Sequence, residues 1–248
     1  ILMLSLAAST LHRALHHFKT AWLFTRSDFK TFIFPVMVTA IIASPRHTPL
    51  AVCRTLCWLW FHLLQFNVSN QSYSAQEDVV NKPWRPLPSG RISVEDARSL
   101  RWGLLFLCLG LSSLFSFNAL ISSAASIVVM ILYDDLRLSH HPIFRNLRNV
   151  AAFVTGGVGC SLTLSGGSSL DGTSVKAISC TALVILLTVH AHDLANTDGD
   201  RKSGRRTLPI IAPEGSRIYM LCALPLLSFG LASLWSLSVA FSLFLSVL

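Results

Sequence analysis

Long apolar runs alternate along this chain with short polar breaks that contain Pro, Gly or clustered charge. The runs cover 29–45, 49–69, 99–115, 117–133, 146–165, 174–192, 216–231 and 234–248. Each approaches the roughly 20 residues that an α-helix needs to cross a bilayer. The pattern predicts eight spans, the third and fourth joined so tightly near residues 115–117 that they form a helical hairpin. Residues 1–9 are too short to span and lack a positive leading segment. They read as the interior of a longer chain and not as a signal peptide.

Composition agrees with the pattern. Of 248 residues, 52% are hydrophobic and only 13% charged, with a mean hydropathy of +0.57, whereas soluble domains carry about 25% charge. The expected fold is all-α, a polytopic membrane helical bundle forming one domain over residues 1–248, with no room for a large extramembrane domain. A net charge of +8 would suit nucleic acid if it formed one dense face, but the basic residues are dispersed among the spans. The expected surroundings are the lipid bilayer, with no nucleic acid and no obligate protein partner. The six cysteines, Cys53, Cys57, Cys108, Cys160, Cys180 and Cys222, lie mostly in apolar runs. They are expected as small core residues, not as a disulfide framework.

Charge placement adds an orientation. The N-terminal segment and the second-to-third, fourth-to-fifth and sixth-to-seventh connections hold 17 of the 20 Lys and Arg, leaving Arg46, Arg54 and Lys176 for the other face. The N terminus and this charged face are therefore expected in the cytosol. Every acidic residue except Asp171 falls on the same face. Carboxylates contribute little to orientation, so their gathering there has another cause. Ordinary loop solvation accounts for most such charges; the alternative reading is a site for a polyanion with metal.

Two segments carry that second reading. After the second span come Asn70-Gln71-Ser72-Tyr73-Ser74-Ala75-Gln76-Glu77-Asp78 and then Asn81-Lys82-Pro83-Trp84-Arg85-Pro86-Leu87-Pro88-Ser89-Gly90. On a helix, Asn70, Ser74 and Glu77 share one stripe with Asp78 beside it. An amide oxygen, a hydroxyl and carboxylates are hard ligands that suit Mg²⁺, which binds through one or two carboxylates plus substrate phosphates. The proline-rich turn would bring Lys82 and Arg85 to those phosphates. After the sixth span, Asp193, Asn196 and Asp200 share a face and are followed by Arg201 and Lys202. Two helix ends with the same grammar on one side read as halves of a single site, metal clamping a diphosphate between them. His190 and His192, at i and i+2, diverge on a helix and are expected as buried or interfacial residues, not zinc ligands.

These segments resemble the signatures of the UbiA superfamily of intramembrane prenyltransferases. Asn81-Lys82-Pro83-Trp84-Arg85-Pro86-Leu87-Pro88-Ser89-Gly90 is similar to that family's Asn-x-Pro-x-Arg-Pro-x-Pro-Ser-Gly, and Gly204-Arg205-Arg206-Thr207-Leu208-Pro209 to its Gly-x-x-(Ser/Thr)-Leu-Pro. The resemblance implies nine spans around a central cavity, with cytosolic caps near 70–98, 134–148 and 193–215. It also implies an Mg²⁺-bound isoprenyl diphosphate and a contact to it from Arg145, with Tyr133 near the cavity roof. The family's aspartates at the second and fifth positions of the first motif are replaced by Gln71 and Ser74. The remaining Asn70, Ser74 and Asp78 are similar to the Asn/Ser/Glu metal triad of class I terpene cyclases, and the lead into the motif looks like that of fungal UbiA-type cyclases.

The expected activity is cyclisation of a prenyl diphosphate, most plainly the fifteen-carbon farnesyl chain. The alternative is transfer of a prenyl group to an aromatic or quinone-precursor acceptor. Asn70, Ser74, Asp78, Asp193 and Asp200 are the expected catalytic set, joined by Glu77 and Asn196 as metal ligands. Lys82, Arg85, Arg145, Arg201 and Lys202 are the expected diphosphate ligands. A eukaryotic source would place the enzyme in the endoplasmic reticulum. Trp58, Trp60, Phe61, Phe66 and Phe106 are candidate walls of the cavity, with lipid contact or helix packing as the alternative for each, and Asp134-Asp135 reads equally as a help to metal or as a solvated helix end.

Overall fold

The computed structural model describes residues 2–238 apart from 45, 46, 137, 139, 140, 168 and 203. Its long helices are α1 (Leu2–Thr25), α2 (Phe34–Ala43), α3 (Pro49–Tyr73), α5 (Val94–Ser113), α6 (Phe117–Asp135), α7 (Pro142–Leu164), α8 (Gly172–Thr188) and α11 (Pro213–Leu234). Short α4 (Ala75–Asn81), α9 (Thr197–Lys202) and α10 (Leu208–Ile211) lie in the connections. Among the described residues there is no strand. The first seven predicted spans each fall on a helix, with the hairpin turn at residues 114–116 between α5 and α6. Most of the eighth, 234–248, lies outside the described residues.

One expectation is corrected at the start of the chain. The pattern places no span before residue 29, yet α1 occupies Leu2–Thr25 and continues through a 3₁₀ turn, Arg26–Asp28, and a π turn, Phe29–Ile33, into α2. No Gly or Pro occurs before Pro35, so the polar residues between Ser9 and Lys19 lower hydropathy without breaking a helix. Pro35 lacks the N–H that an α-helix would offer to the Thr31 carbonyl, and the backbone widens just upstream of it. Phe34 N–H bonds to Phe29 O instead.

Side-chain caps set the starts of α3, α5, α6 and α8. The Thr48, Ser93, Ser116 and Asp171 side chains accept from Ala51, Asp96, Ala119 and Ser174 N–H. Packing centres on α3 and α7, which touch each other; α3 also contacts α1, α5 and α6, and α7 also contacts α2, α6 and α8. The core between α2, α3 and α7 contains Ile33, Val36, Met37, Trp58, Leu59 and Cys160. Among the described residues, three helical segments, Phe117–Asp135, Gly172–Lys202 and Pro213–Leu234, are long and apolar enough on their own to cross a membrane. In α3 the polar residues Thr55, His62, Gln65, Asn67, Ser69, Gln71 and Ser72 are buried, as polar groups in a membrane bundle must be. All six cysteines are free; Cys108 and Cys160 are core residues as expected, but Cys53, Cys57 and Cys222 sit on outward faces.

Candidate active site

A cavity of about 350 Å³ opens between α3, α6, α7 and α8 under the short connecting helices. Leu59, His62, Leu63, Phe66, Asn67 and Asn70 line it from α3, at the spacing of one helical face. The α3 helix ends at Tyr73, because Ser74 leaves the helical region (φ −118°, ψ 24°), and its hydroxyl donates to Asn70 O at 2.9 Å. A single helix as far as Asp78 was expected; the break at Ser74 re-aims α4 instead. Asn70, Ser74, Glu77 and Asp78 all line the cavity.

The second half is built differently from its expected α-helix. Val189–Asn196 is 3₁₀ helix, whose three residues per turn stack Asp193 and Asn196 on one side. Both line the cavity. In α9, Asp200 is fully buried. The two halves are buttoned together by Asn81, which donates to Asn196 O at 3.3 Å and accepts from Gly199 N–H at 3.1 Å. A Cβ on Gly199 would fall 2.3 Å from Asn81 Nδ2, so only glycine permits that approach.

Guanidinium groups thread between the carboxylates. Arg85 Nη1 donates to both Asp78 oxygens at 2.8 and 2.9 Å, and its Nη2 lies 3.9 Å from Asp28. Arg145 donates to Asp193 at 2.7 Å and stands 3.6 Å from Asp200. Arg205 pairs with Glu77 and stands 3.7 Å from Asp200. Burial pushes the Glu77 carboxyl up to about 7, against the pull of Arg205 and Arg145. Burial, and then Arg85 beside it, lowers the Lys82 ammonium below its ordinary range. Arg145 Nη1 and Arg85 Nε are buried without a hydrogen-bond acceptor among the described residues. Buried donors of this kind suit an incoming polyanion.

Among the described residues no three His, Cys, Asp or Glu side chains converge into a ready-made metal cluster. The hard oxygen donors stand instead as two sets, Asn70, Ser74, Glu77 and Asp78 facing Asp193 and Asn196 with Asp200 behind. That donor chemistry fits a small hard cation that takes one or two carboxylates and completes its shell with substrate oxygens.

Two expected diphosphate ligands do not reach the cavity. Arg201 and Lys202 are exposed at the end of α9, because the turn that buries Asp200 directs the next two side chains to solvent. Arg205, within the Gly204–Pro209 motif, lines the cavity in their place. Asp28, Asn81 and Arg148 also line the cavity, beyond the ligands expected from the sequence. Arg148 donates to Asn70 Oδ1 at 2.7 Å and lies over the Phe66 and Tyr133 rings at 3.9 and 4.6 Å. Its spacing of three from Arg145 was the available signal. Asp134 and Asp135 serve the scaffold: Asp134 accepts from Ser69, and Asp135 accepts from Tyr73 and from Arg101 at 3.2 Å. His190 is buried beside Tyr219, and His192 lines the cavity. Of the candidate aromatic walls, Trp58 and Phe66 line it, while Phe106 is 70% exposed on the outside of α5.

The sequence model of the UbiA prenyltransferase family matches residues 32–248. A fumagillin beta-trans-bergamotene synthase of Aspergillus fumigatus is 27% identical over 218 residues, covering 88% of this chain and 75% of its own length. A diterpene cyclase of Hericium erinaceus is 28% identical over 88% of this chain and 70% of its own. A digeranylgeranylglyceryl phosphate synthase of Natronomonas pharaonis is 28% identical over 62% of this chain and 54% of its own. In fold, a UbiA homolog from Archaeoglobus fulgidus bound to DMAPP and Mg²⁺ superposes with a TM-score of 0.66 at 17% identity, covering 92% of this chain and 80% of that one. With its helical bundle and paired carboxylate segments, the chain belongs to the UbiA prenyltransferase family.

Proposed function

We propose that this enzyme cyclises a prenyl diphosphate, most plainly farnesyl diphosphate, within the membrane. Use of an isoprenyl diphosphate by an integral membrane enzyme follows from membership of the family. The observation that carries the finer reading is the first motif. Gln71 turns away from the cavity and donates to Phe24 O at 3.0 Å, whereas Asn70, Ser74 and Asp78 line it together. The family's two missing aspartates are thus a packing residue and a hydroxyl, and the remaining donors have the make-up of a cyclase triad. The similarity to terpene synthases over 88% of the chain supports the same reading.

Asn70, Ser74, Glu77 and Asp78 on one side, and Asp193, Asn196 and Asp200 on the other, would hold Mg²⁺. A cation held by these residues would supply neutralisation of the charge on the departing diphosphate. Lys82, Arg85, Arg145 and Arg205 hold the diphosphate oxygens at the cavity mouth and keep them there as the allylic carbon–oxygen bond breaks. Below them Phe66, Phe32, Phe153 and Trp58 line the cavity and exclude water from the cation, whose own double bonds then capture it; the ring-closed cation loses a proton to the released diphosphate and leaves as a hydrocarbon. The charged mouth faces the cytosol in this reading, and a eukaryotic host would carry the enzyme in the endoplasmic reticulum.

Purified protein in lipid nanodiscs, given farnesyl diphosphate and Mg²⁺ with no acceptor, is expected to release diphosphate and a cyclic hydrocarbon. Turnover that begins only when an aromatic acceptor is added would replace the cyclase with a transferase.

A further inference from the structure

The cavity ends at the same depth on three helices. Along α3 the lining runs from Asn70 to Trp58, twelve residues or about 18 Å of helix. Along α7 it runs from Arg145 to Gly156, eleven residues or about 17 Å. On α6 it runs from Tyr133 to Ser122, again about 17 Å. At that level lies the Trp58 indole, 2% exposed, and it is fixed from several sides. Its Nε1 donates to Ser112 Oγ at 2.8 Å, and the His62 ring lies against it with centroids 3.8 Å apart. His62 is itself held between Trp58 O at 2.8 Å and Ser123 Oγ at 2.7 Å. Gly159 of α7 makes the room, since a Cβ there would fall 2.0 Å from the Trp58 ring. Beneath sits the α2–α3–α7 core, including Leu164 and Cys160.

We propose that Trp58, locked by Ser112 and His62, is the floor that sets the length of prenyl chain this enzyme accepts. The inference rests on the prenyl-diphosphate reading of the site but not on cyclisation. With the diphosphate fixed at the Lys82–Arg85–Arg145 mouth, each added five-carbon unit pushes the chain tail toward the indole. A ring tied by a hydrogen bond and a stacked imidazole cannot swing aside as a free aliphatic side chain would. Trp58 is therefore a specificity residue, and Ser112 and His62 are positioning residues.

The test measures kcat/KM for diphosphate release with ten-, fifteen- and twenty-carbon prenyl diphosphates, and Kd for their non-ionising thiolodiphosphate analogues, on the full chain in nanodiscs. Trp58→Ala is expected to raise the twenty-to-fifteen-carbon ratio by about tenfold or more, the scale of pocket discrimination for even a small apolar difference. The analogues' Kd ratio should move the same way. Trp58→Leu guards against a variant that fails to fold and should move both ratios in the same direction. Gly156→Val, which adds bulk to the cavity wall, should favour the ten-carbon chain. Active Trp58 variants whose ratios stay within about twofold of wild type would overturn the floor alone. A wild-type protein that neither binds nor ionises any prenyl diphosphate would overturn the reading beneath it.

Discussion

Asp193→Asn is expected to lower diphosphate release by about 10²–10³-fold, the scale of losing one preorganised electrostatic element, because this carboxylate would hold the cation and Arg145 that neutralise the leaving group. Asp78→Asn should do the same. Both carboxylates line the cavity, and each anchors an arginine proposed to hold the diphosphate: Asp78 holds Arg85 at 2.8 Å and Asp193 holds Arg145 at 2.7 Å. The amide keeps volume and one acceptor oxygen but removes the charge that a divalent cation needs. Asp134→Asn is the control. Asp134 is 4% exposed and accepts from Ser69, away from the cavity lining, so its loss should lower thermal stability more than turnover. Pyrophosphate release and a thermal melt on each variant separate the two roles. Folded Asp193→Asn protein with near-wild-type turnover would remove the second acidic segment from the site.

The lines of the fold were legible because a bilayer simplifies the code. Seven apolar runs became helices, since a segment in lipid must satisfy its own backbone polar groups. α1 was missed for the same reason: with Ser9, Thr10, His12, Arg13, His16, His17 and Lys19 it is too polar to register as a span. The site was legible where a motif fixes both residue type and spacing, as in Asn70–Asp78 and Asn81–Gly90. It was not legible where a backbone break re-aims the chain. Nothing local says that Ser74 leaves the helix, or that 189–196 tightens to 3₁₀, and those two facts bring Glu77 and Asn196 to the cavity and leave Arg201 and Lys202 outside. Contacts between distant segments, such as Arg205 with Glu77 and Asp28 with Asn67, need the assembled fold.

Gly199→Ala is expected to cut kcat by about 10²-fold while leaving the helical bundle intact. The new methyl would sit 2.3 Å from Asn81 Nδ2, so Asn81 must withdraw and its bonds to Asn196 O and Gly199 N–H are lost. Two such bonds contribute only about 1–3 kcal/mol to folding, a modest change in thermal midpoint for a chain of this size. Catalysis is far more sensitive, because a displacement of about 1 Å between groups that must act together costs about 10²-fold. Asn70, Ser74 and Asp78 stand on one side of this clamp and Asp193 on the other. The cause can be isolated with a double-mutant cycle. Asn81→Ala alone should reproduce most of the loss by removing the bonds. In that background Gly199→Ala should cost almost nothing more, since the side chain it collides with has gone. Full additivity of the two substitutions would mean that the acidic halves are held in register by something other than this asparagine seated on a glycine.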